Sequence, residues 1–585
     1  MRTKVVSTLH RVYKFFGIIH ARTMAFKIKK LLSFFLLQSM LFEVVMSIEE
    51  SRSTTGGHWV ELQRSIGISA MHMQVMYDNK VLIFDRTDFG PSNISLSHHR
   101  CRFNPRDLAL KLDCTAHSVL YDLSHNTLRP LTLRTDAWCS SGALVPDGSL
   151  LQTGGFNDGY TTLRSFTPCP QHNTCDWREI RNHNLSNSRW YSSNQILPSG
   201  KIIIVGGRNS FTYEFVPKND VPSSSFHYLP FLKLTRDSNR GEENNLYPFL
   251  HLLPDGNLFI FANRNSILFD YTTNKVLRNF PIIPGQEKRN YPSTASSVLL
   301  PLNLTGLNGT RLPDAEIMIC GGAYPGTFSL ANTLKIFLEA SRTCGRLRVT
   351  DSNPVWVMET MPTPRVMPDM ILLPTGNVII VNGAMNGTAG WENAANPVLY
   401  PVLYRPGLVG PFPKFQLLAP ASTPRMYHSS AVLLPDGRVL VGGSNPHRVY
   451  DFRANPYPTE LSLDAYYPEY LGIQFDSLRP SIVAVEAVNN TASYGRVFAV
   501  NISLWDYRVG GLGVTLVAPS FTTHSFAMNQ RLLLLQVLAV QQVATSGYRV
   551  VARGPPSQAV APPGFYMLFV VHAGVPSTAV WVQVK

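Results

Sequence analysis

One pattern of hydrophobic and polar positions recurs along the chain. A short apolar run leads into a turn with a glycine, a second apolar run rich in β-branched residues follows, and a pair of glycines often ends the unit. The copies span residues 143–151, 196–204, 252–261, 372–381 and 432–441, with two weaker ones at 75–85 and 312–320. Glycine supplies the positive φ of a tight hairpin turn. Each copy therefore predicts a β-hairpin.

The spacing of these hairpins predicts the architecture. The clear copies lie roughly 50–60 residues apart, close to the period of about 50 residues that is typical of kelch repeats. A four-stranded blade cannot bury both of its faces alone, so blades pack around a common axis. Seven copies predict a seven-bladed kelch-like β-propeller over residues 48–455. The alternative, unrelated hairpins in a sandwich, does not account for the regular spacing.

The pattern changes after Gly443. A stretch rich in Tyr and Pro occupies residues 450–470, and beyond residue 475 the sequence alternates between apolar and polar positions. Predicted strands there include Arg496–Ile502, Val514–Val517, Leu532–Val540 and Gly564–Val571. Such spacing is typical of an antiparallel sandwich. The prediction is an all-β chain whose residues 475–585 form a C-terminal immunoglobulin-like β-sandwich.

Composition and charge narrow the function classes. The chain has 585 residues, of which 44% are hydrophobic and 15% charged, so it suits two or three folded domains rather than a disordered protein. The net charge of +14 is misleading, because residues 1–47 hold eight Lys/Arg and one Glu, which leaves +7 for the rest. No basic stripe interleaved with aromatic residues is present. Nucleic acid is therefore not the expected partner.

The N-terminus predicts export. Three lysines within residues 27–30 precede an apolar run, Leu31–Met46, that is too short to span a membrane. A basic segment followed by a short apolar one is typical of a secretory signal peptide. We expect residues 1–47 to be an N-terminal extension plus signal, and the mature protein to be a soluble, extracellular glycoprotein, in the apoplast or cell wall if the source is a plant. Seven N-x-[ST] sequons agree with export: Asn93, Asn184, Asn303, Asn308, Asn386, Asn489 and Asn501.

The seven cysteines suggest three disulfides and one unpaired residue. Close spacing favours Cys101–Cys114, Cys169–Cys175 and Cys320–Cys344, which leaves Cys139 without a partner. A zinc site is a weaker alternative for a cluster of possible ligands: His98, His99, Cys101, Cys114 and His117. In an oxidising compartment the cysteines of that cluster are better explained by a disulfide.

The common hydrolase, metalloprotease and nucleotide-binding motifs are absent from the sequence. Three related segments instead precede hairpins: W-C-S-S-G at 138–142, R-W-Y-S-S at 189–193 and R-M-Y-H-S-S at 425–430. In a propeller, such positions converge at one end of the axis. A fourth segment, T-T-H-S-F-A-M-N-Q-R at 522–531, lies in the predicted sandwich. Taken singly, these tyrosines and histidines are ordinary packing residues. Together they offer a mixed nitrogen and oxygen donor set, which suits Cu(II).

These four segments resemble the copper radical oxidases, specifically glyoxal oxidase and its plant aldehyde-oxidase relatives, from about Gly57 to the C-terminus. The resemblance implies one copper ion and a protein-derived cofactor, a thioether-linked pair of Cys139 and Tyr191 that holds the radical. It implies Tyr191, Tyr427, His428 and His524 as the copper ligands, with His524 supplied by the sandwich. Tyr427 is then also the base that takes the substrate proton.

The implied reaction is the oxidation of small aldehydes, such as glyoxal and methylglyoxal, to carboxylic acids, with reduction of O2 to H2O2. One alternative is a galactose oxidase-like oxidase of primary alcohols in cell-wall carbohydrate. Only about ten residues separate the presumed signal from Gly57, too few for the sugar-binding module of galactose oxidase, so the glyoxal branch is favoured. Another alternative is a non-catalytic propeller that binds glycans or protein partners. We expect a monomer whose partners are the substrate and O2, with no membrane partner.

Two further groups of residues are open at this point. Trp190, Phe211 and Tyr213 are candidates for an aromatic side chain that shields the radical, although blade packing explains each equally well. Arg365, in the segment P-R-V-M-P-D, faces either a polar substrate or an interblade salt bridge.

Overall fold

The computed structural model describes residues 56–97, 100–169, 174–181, 183–218, 226–239, 241–307 and 311–585. Among them are seven units of four antiparallel strands, here named the first to the seventh sheet in chain order. The predicted targeting segment 1–47 lies outside the described residues.

The first four sheets use consecutive strands. Their bounds are His72–Val75, Lys80–Phe84, Ser118–Asp122 and Thr127–Leu131; Ser141–Leu144, Leu150–Thr153, Leu163–Phe166 and Arg178–Glu179; Ser192–Ile196, Ile202–Gly206, Thr212–Val216 and His227–Tyr228; Phe249–Leu252, Leu258–Ala262, Asn265–Asp270 and Lys275–Asn279. The second strand of each hairpin is buried on both faces, which explains its run of branched apolar residues, such as Ile202, Ile203 and Ile204.

The other three sheets follow the same plan. Their bounds are Ser296–Leu299, Glu316–Cys320, Thr343–Arg348 and Trp356–Thr360; Asp369–Leu372, Val378–Val381, Val402–Tyr404 and Phe415–Leu417; Ser430–Leu433, Val439–Gly442, Leu463–Tyr467 and His58–Gln63. The seventh sheet thus takes its outer strand, His58–Gln63, from the N-terminal end of the described chain, antiparallel to Leu463–Tyr467. That third strand lies beyond residue 455, where the sequence places the end of the first domain.

The innermost strands of neighbouring sheets pack side by side. From the second sheet to the seventh, each first strand contacts that of the next sheet, and Ser430–Leu433 contacts His72–Val75 of the first sheet. Between the first and second sheets lies a hairpin from the C-terminal region, Phe521–Thr523 and Phe526–Met528. Its first strand pairs with His72–Val75 and contacts Ser141–Leu144.

Two sheets make up the C-terminal region, as predicted for a sandwich. One contains Leu302–Asn303, Arg531–Leu535, Leu512–Ala518, Gly564–His572, Val580–Val584 and Thr491–Ala492, with Val575–Pro576 at its side; the other contains Ser481–Glu486, Val497–Ser503, Gly547–Arg553 and Val537–Gln542. The prediction of one continuous strand at Leu532–Val540 is wrong. The segment forms two strands in two sheets, because the chain crosses from one sheet to the other at Gln536.

A second prediction is wrong in the fifth sheet. The pattern at 312–320 places both strands of a hairpin there, but only Glu316–Cys320 is a strand. Its partner is Ser296–Leu299, and the connection between them reaches out so that Leu302–Asn303 pairs with Arg531–Leu535 of the C-terminal region. A long insertion therefore replaces the tight turn of the other copies.

Helices are few, so the chain is nearly all β. The described α-helices are α1 (Pro230–Leu234) and α2 (Thr327–Leu334); the described 3-10 helices are Thr87–Phe89, Asn157–Gly159, Glu469–Leu471, Ile473–Leu478 and Val488–Asn490; two small antiparallel pairs are Arg102–Phe103 with Leu112–Asp113 and Ala384–Gly387 with Ala394–Pro397. Among the described residues, no helix has the length and apolar character to cross a membrane.

All three expected disulfides are confirmed. Bonds join Cys101 to Cys114, Cys169 to Cys175 and Cys320 to Cys344. The remaining cysteine, Cys139, is a free thiol and is fully buried. The Cys101–Cys114 bond removes the sulfur ligands of the zinc alternative, and the His117 Nε2 atom lies 2.7 Å from the Asp113 carboxylate. His98 and His99 lie outside the described residues.

Candidate active site

A left-handed residue stands one or two places before the inner strand in six of the seven sheets. From the second sheet to the seventh, these residues with positive φ are Cys139 (52°), Tyr191 (66°), Tyr247 (50°), Thr294 (26°), Met367 (57°) and His428 (63°). A side chain other than glycine pays roughly 1–2 kcal/mol for this conformation, so the surroundings must enforce it. The backbone repeat therefore fixes where six side chains are presented.

Hydrogen bonds between neighbouring sheets hold these positions together. The Tyr191 amide donates to the Cys139 carbonyl at 2.9 Å, and the Tyr247 amide donates to the Tyr191 carbonyl at 3.0 Å. On the other side, the Met367 amide donates to the Thr294 carbonyl at 2.8 Å. These three hydrogen bonds link five of the six left-handed residues to a neighbour of the same kind. They bring together residues that are far apart in sequence.

His524 reaches the same place from the C-terminal region. It is the first of two residues, His524 and Ser525, that connect the strands Phe521–Thr523 and Phe526–Met528. Both have positive φ, 45° and 68°, which is the requirement of a type I′ hairpin turn. The Thr523 hydroxyl lies 2.7 Å from His524 Nδ1. Because Nδ1 has this partner, Nε2 is the nitrogen that faces the other site residues.

The five residues that the sequence singled out converge in one buried cluster. His524 Nε2 lies 3.1 Å from the Cys139 sulfur, and possible ligand atoms of Cys139, His428 and His524 all lie within 4.8 Å of one another. The Tyr427 ring stacks on His428 with centroids 3.7 Å apart, and the Tyr191 and Tyr427 rings lie 6.0 and 5.9 Å from the His524 ring. All five are at most 6% exposed.

A third tyrosine, missed by the sequence analysis, joins the other two. The Tyr291 hydroxyl lies 3.1 Å from the Tyr191 hydroxyl and 2.9 Å from the Tyr427 hydroxyl. A signal for it exists, because Tyr291 follows Arg289 by two residues, as Tyr191 follows Arg189 and Tyr427 follows Arg425. The sequence analysis missed Tyr291 because it placed the first strand of the fifth hairpin near residue 312, whereas that strand is Ser296–Leu299.

Burial sets the protonation of this cluster. It raises the pKa values of the Tyr191 and Tyr427 phenols well above 10, and neighbouring acidic groups, including Cys139 and the Tyr291 phenol, add to the effect. Burial also raises the pKa of the Cys139 thiol, against an opposing hydrogen bond from Tyr191. It lowers the pKa values of His428 and His524 well below 6.5. The site therefore presents neutral imidazoles and protonated phenols.

Arg365 does neither of the two things expected of it. Its side chain is fully buried, with Nη1 donating to the Asn382 carbonyl at 2.8 Å and Nη2 to the Tyr400 carbonyl at 2.7 Å. In the described part of the chain it has no ion pair with a carboxylate. Equivalent arginines make the same kind of contact in other sheets, for example Arg189 with the Gly206 carbonyl. These arginines brace the chain that leads into each inner strand.

The three candidates for a shielding aromatic residue separate clearly. The Trp190 ring lies against Tyr191, with centroids 4.8 Å apart. Phe211 packs on a different hydrophobic cluster, and Tyr213 is buried within its own sheet, stacked on His227. Only Trp190 of the three touches the site.

Comparison with known proteins agrees with the fold and the motifs. A family model described as "Glyoxal oxidase N-terminus" matches residues 71–470, and one described as "Galactose oxidase-like, Early set domain" matches residues 479–584. A fungal alcohol oxidase of the AA5 family, solved in complex with copper, superposes with a TM-score of 0.66 over 90% of this chain and 99% of that chain. At 18% identity, this likeness shows the shared galactose oxidase-like fold.

Two plant proteins are similar along most of their length. The aldehyde oxidase GLOX of Vitis pseudoreticulata is 45% identical over 531 residues, which is 90% of this chain and 97% of that protein. The aldehyde oxidase GLOX1 of Arabidopsis thaliana is 44% identical over 534 residues, 90% of this chain and 84% of that protein. With the residues of its four motifs gathered in one buried cluster and 90% of its length matched by the plant relatives, the chain belongs to the glyoxal oxidase family.

Proposed function

We propose that the protein is a secreted copper radical oxidase that converts small aldehydes, such as glyoxal and methylglyoxal, to carboxylic acids. The aldehyde hydrate and O2 give the acid and H2O2, so two electrons and two protons leave the substrate. The observation that carries the proposal is the buried convergence of five residues from distant segments: Cys139, Tyr191, Tyr427, His428 and His524. The names of the plant relatives support an aldehyde as substrate.

The donor set fits a copper ion. Neither ring nitrogen of His428 has a hydrogen-bond partner although the residue is 2% exposed, which is costly for a buried polar group unless a ligand satisfies it. Neutral imidazoles and phenol oxygens form a mixed set that suits Cu(II). Tyr191, Tyr427, His428 and His524 would hold the ion. When bound, copper supplies a one-electron redox couple beside the protein's own.

The oxidised pair of Cys139 and Tyr191 would accept the second electron from the substrate. Joining the Cys139 sulfur to the Tyr191 ring removes the thiol hydrogen and one ring hydrogen, with O2 as the acceptor. The sulfur then shares the unpaired electron of the oxidised phenol and makes Tyr191 easier to oxidise. Both side chains lie beside His524, whose Nε2 is 3.1 Å from the Cys139 sulfur and whose ring centroid is 6.0 Å from that of Tyr191, and Trp190 lies against the Tyr191 ring.

Tyr427 would lose its phenolic proton on metal binding, and the resulting phenolate would take the proton of the substrate hydroxyl, while the oxidised Tyr191 would take the hydrogen atom from the substrate carbon. Tyr291 accepts from the Tyr191 hydroxyl, and its own hydroxyl lies 2.9 Å from that of Tyr427, so it fixes the distance between these two groups. Because the whole cluster is buried, bulk water is kept from the oxidised phenol.

We further propose that the seven sheets form a seven-bladed kelch-like propeller, which extends to Tyr467 and so beyond the boundary expected at residue 455, followed by a β-sandwich over residues 475–585 that supplies His524. The contacts between successive inner strands support a ring of blades. Export is supported by the three disulfides and by sequon asparagines that are exposed, such as Asn93, Asn184 and Asn489.

Peptide mass mapping of the copper-loaded protein tests the cofactor. A Cys139 peptide joined to the Tyr191 peptide, lighter by two hydrogens than the sum of the separate peptides, is the expected result. A free Cys139 thiol after full copper loading would overturn the radical mechanism and leave a propeller that only binds. Turnover of methylglyoxal against galactose then separates an aldehyde oxidase from an oxidase of carbohydrate alcohols.

A further inference from the structure

Arg86 is a buried cation beside the site that the mechanism above does not use. It follows the strand Lys80–Phe84, and its side chain is 5% exposed. Nε donates to the Asp88 carboxylate, but Nη1 is buried and has no hydrogen-bond partner. An unpaired buried donor on a charged group is unfavourable unless a ligand satisfies it. Arg365 also has an unpaired nitrogen, Nε, but both of its terminal groups, Nη1 and Nη2, donate to carbonyl oxygens.

The position of Arg86 ties it to the site. Its guanidinium lies 3.6 Å from the centroid of Trp138, the residue before Cys139, and 4.6 Å from that of Phe89. The Phe89 ring is in turn 5.9 Å from the His428 ring. The Arg86 charge is close enough to favour the thiolate form of Cys139 and the neutral form of His428.

Aromatic rings connect this point with the surface. Trp138, Phe156, Trp190 and Trp391, here named the aromatic cluster, have centroids 4.6–5.3 Å apart from ring to neighbouring ring. Trp138 is buried, whereas the other three are partly exposed. The indole N–H groups of Trp138 and Trp391 are buried without partners. The cluster thus extends from the ring beside Arg86 to partly exposed rings, and it carries unpaired donors.

We propose that Arg86 is a specificity-determining binding residue, whose Nη1 donates to the second oxygen of an aldehyde that carries a carbonyl or carboxylate on the adjacent carbon. This rests on the proposed function, and it assigns the residue that recognises the second oxygen of α-oxo aldehydes such as glyoxal and methylglyoxal. An arginine stacked on an indole and held by Asp88 is fixed in place, so little side-chain entropy is lost when it binds an oxygen. A substrate without the second oxygen leaves Nη1 unpaired and is disfavoured.

Two variants test the proposal. Arg86→Lys keeps the charge and the ion pair with Asp88 but removes the guanidinium fork. The double variant Arg86→Gln with Asp88→Asn removes both charges of the ion pair together, and the buried Asp136, which also interacts with Arg86, is left unchanged. Arg448→Gln is the matched control, because Arg448 is an exposed cation 5.9 Å from the Trp391 centroid, in the same cluster.

The first readout is selectivity between methylglyoxal and propanal, which share three carbons and differ in the α-oxygen. We expect both Arg86 variants to lower kcat/KM for methylglyoxal about 10- to 100-fold, mainly through KM, and to change propanal less than about threefold. Equal losses on both substrates would overturn the proposal, since they would mean that Arg86 supports the site structurally or electronically. Unchanged selectivity would overturn it as well.

The second readout needs no turnover. Pyruvate carries adjacent oxygens but no aldehyde, and its binding to copper-free protein can be followed by tryptophan fluorescence. We expect wild type and Arg448→Gln to bind pyruvate with the same Kd, and both Arg86 variants to bind it at least about tenfold more weakly. Equal affinity in all four proteins would sink the proposal. If wild type oxidises neither aldehyde yet binds pyruvate through Arg86, the proposed function fails while the binding residue stands.

Discussion

Cys139, Tyr191 and His428 share one backbone position with Tyr247, Thr294 and Met367, and the two sets differ only in what their side chains can do. All six have positive φ before an inner strand, and interstrand hydrogen bonds join several of them. The first set converges with His524 and Tyr427 in the buried cluster. The left-handed position is thus a property of the repeat, and three of its six copies supply a thiol, a phenol and an imidazole to the proposed site. The phenol of a fourth copy, Tyr247, donates to the Ser140 carbonyl instead.

The same six residues show why the left-handed backbone conformation is kept in this fold. A left-handed Thr294 or Met367 costs as much as a left-handed Tyr191, and it supplies no donor to the buried cluster. The conformation is therefore retained because neighbouring sheets need the hydrogen bonds that it permits, and the active site exploits a geometry that the architecture already maintains. Variants at paired positions separate the two contributions, and the tests below run from the largest effect on activity to the smallest.

The largest effect is expected from Tyr191→Phe set against Tyr247→Phe. Removing the Tyr191 hydroxyl removes the proposed copper ligand and radical, so kcat should fall by about a thousandfold or more. Tyr247→Phe loses one hydrogen bond, 3.0 Å long, to the Ser140 carbonyl and should cost less than about tenfold. Rates of H2O2 release from both proteins measure this. Similar losses in the two variants would mean that the repeat, rather than Tyr191, carries the activity.

Next comes copper affinity at the equivalent residues His428 and Met367. His428→Leu removes a proposed copper ligand. Mutation of a residue that only hydrogen-bonds to a ligand typically weakens metal binding by about 10- to 100-fold, so we expect a loss of more than about 100-fold here. Met367→Leu conserves volume and should leave the affinity unchanged. Competition with a chelator of known affinity gives both values. In wild type, copper should also raise Tm by mass action, and this rise should disappear in His428→Leu at the same copper concentration.

Tyr291→Phe gives a smaller effect and tests the bridge between the two phenols. The variant loses about 1 kcal/mol for each hydrogen bond, so kcat should fall roughly 5- to 20-fold while the fold and copper affinity persist. The discriminating measurement is the fraction of protein with the Cys139–Tyr191 thioether after copper loading. We expect slower formation, because the Tyr191 ring is held less firmly. Normal formation with normal kcat would show that the Tyr291 hydroxyl is dispensable.

Sequence reasoning found the parts of this molecule that repeat and missed the parts that depart from the repeat. The hairpins, the disulfides and the five convergent residues each follow from a local pattern. The fifth hairpin was misplaced because its turn is replaced by an insertion, and Tyr291 was lost with it. Arg86 could not be found from spacing, because its importance lies in an unpaired nitrogen that only the packed structure reveals.

The smallest effect on activity is expected at Asp369, which begins the inner strand of the sixth sheet where Ser141, Ser296 and Ser430 begin those of others. Burial raises the pKa of this carboxyl from 3.8 to about 8, against a hydrogen bond from Asn382. The folded protein therefore keeps a proton that the unfolded chain releases. Stability from this group falls as pH rises from about 4 to about 8, by up to about 1.4 kcal/mol per pH unit.

Asp369→Ser restores the residue of the neighbouring sheets and removes this titration. Denaturant unfolding between pH 4 and 8 should show a flatter pH dependence in the variant and a higher free energy of unfolding at pH 8, with little change in activity. Asp85, whose pKa burial raises to about 7, titrates in both proteins, so the difference between them isolates Asp369. Parallel pH profiles would mean that Asp369 is ionised in the folded protein and is stabilised there by more than Asn382.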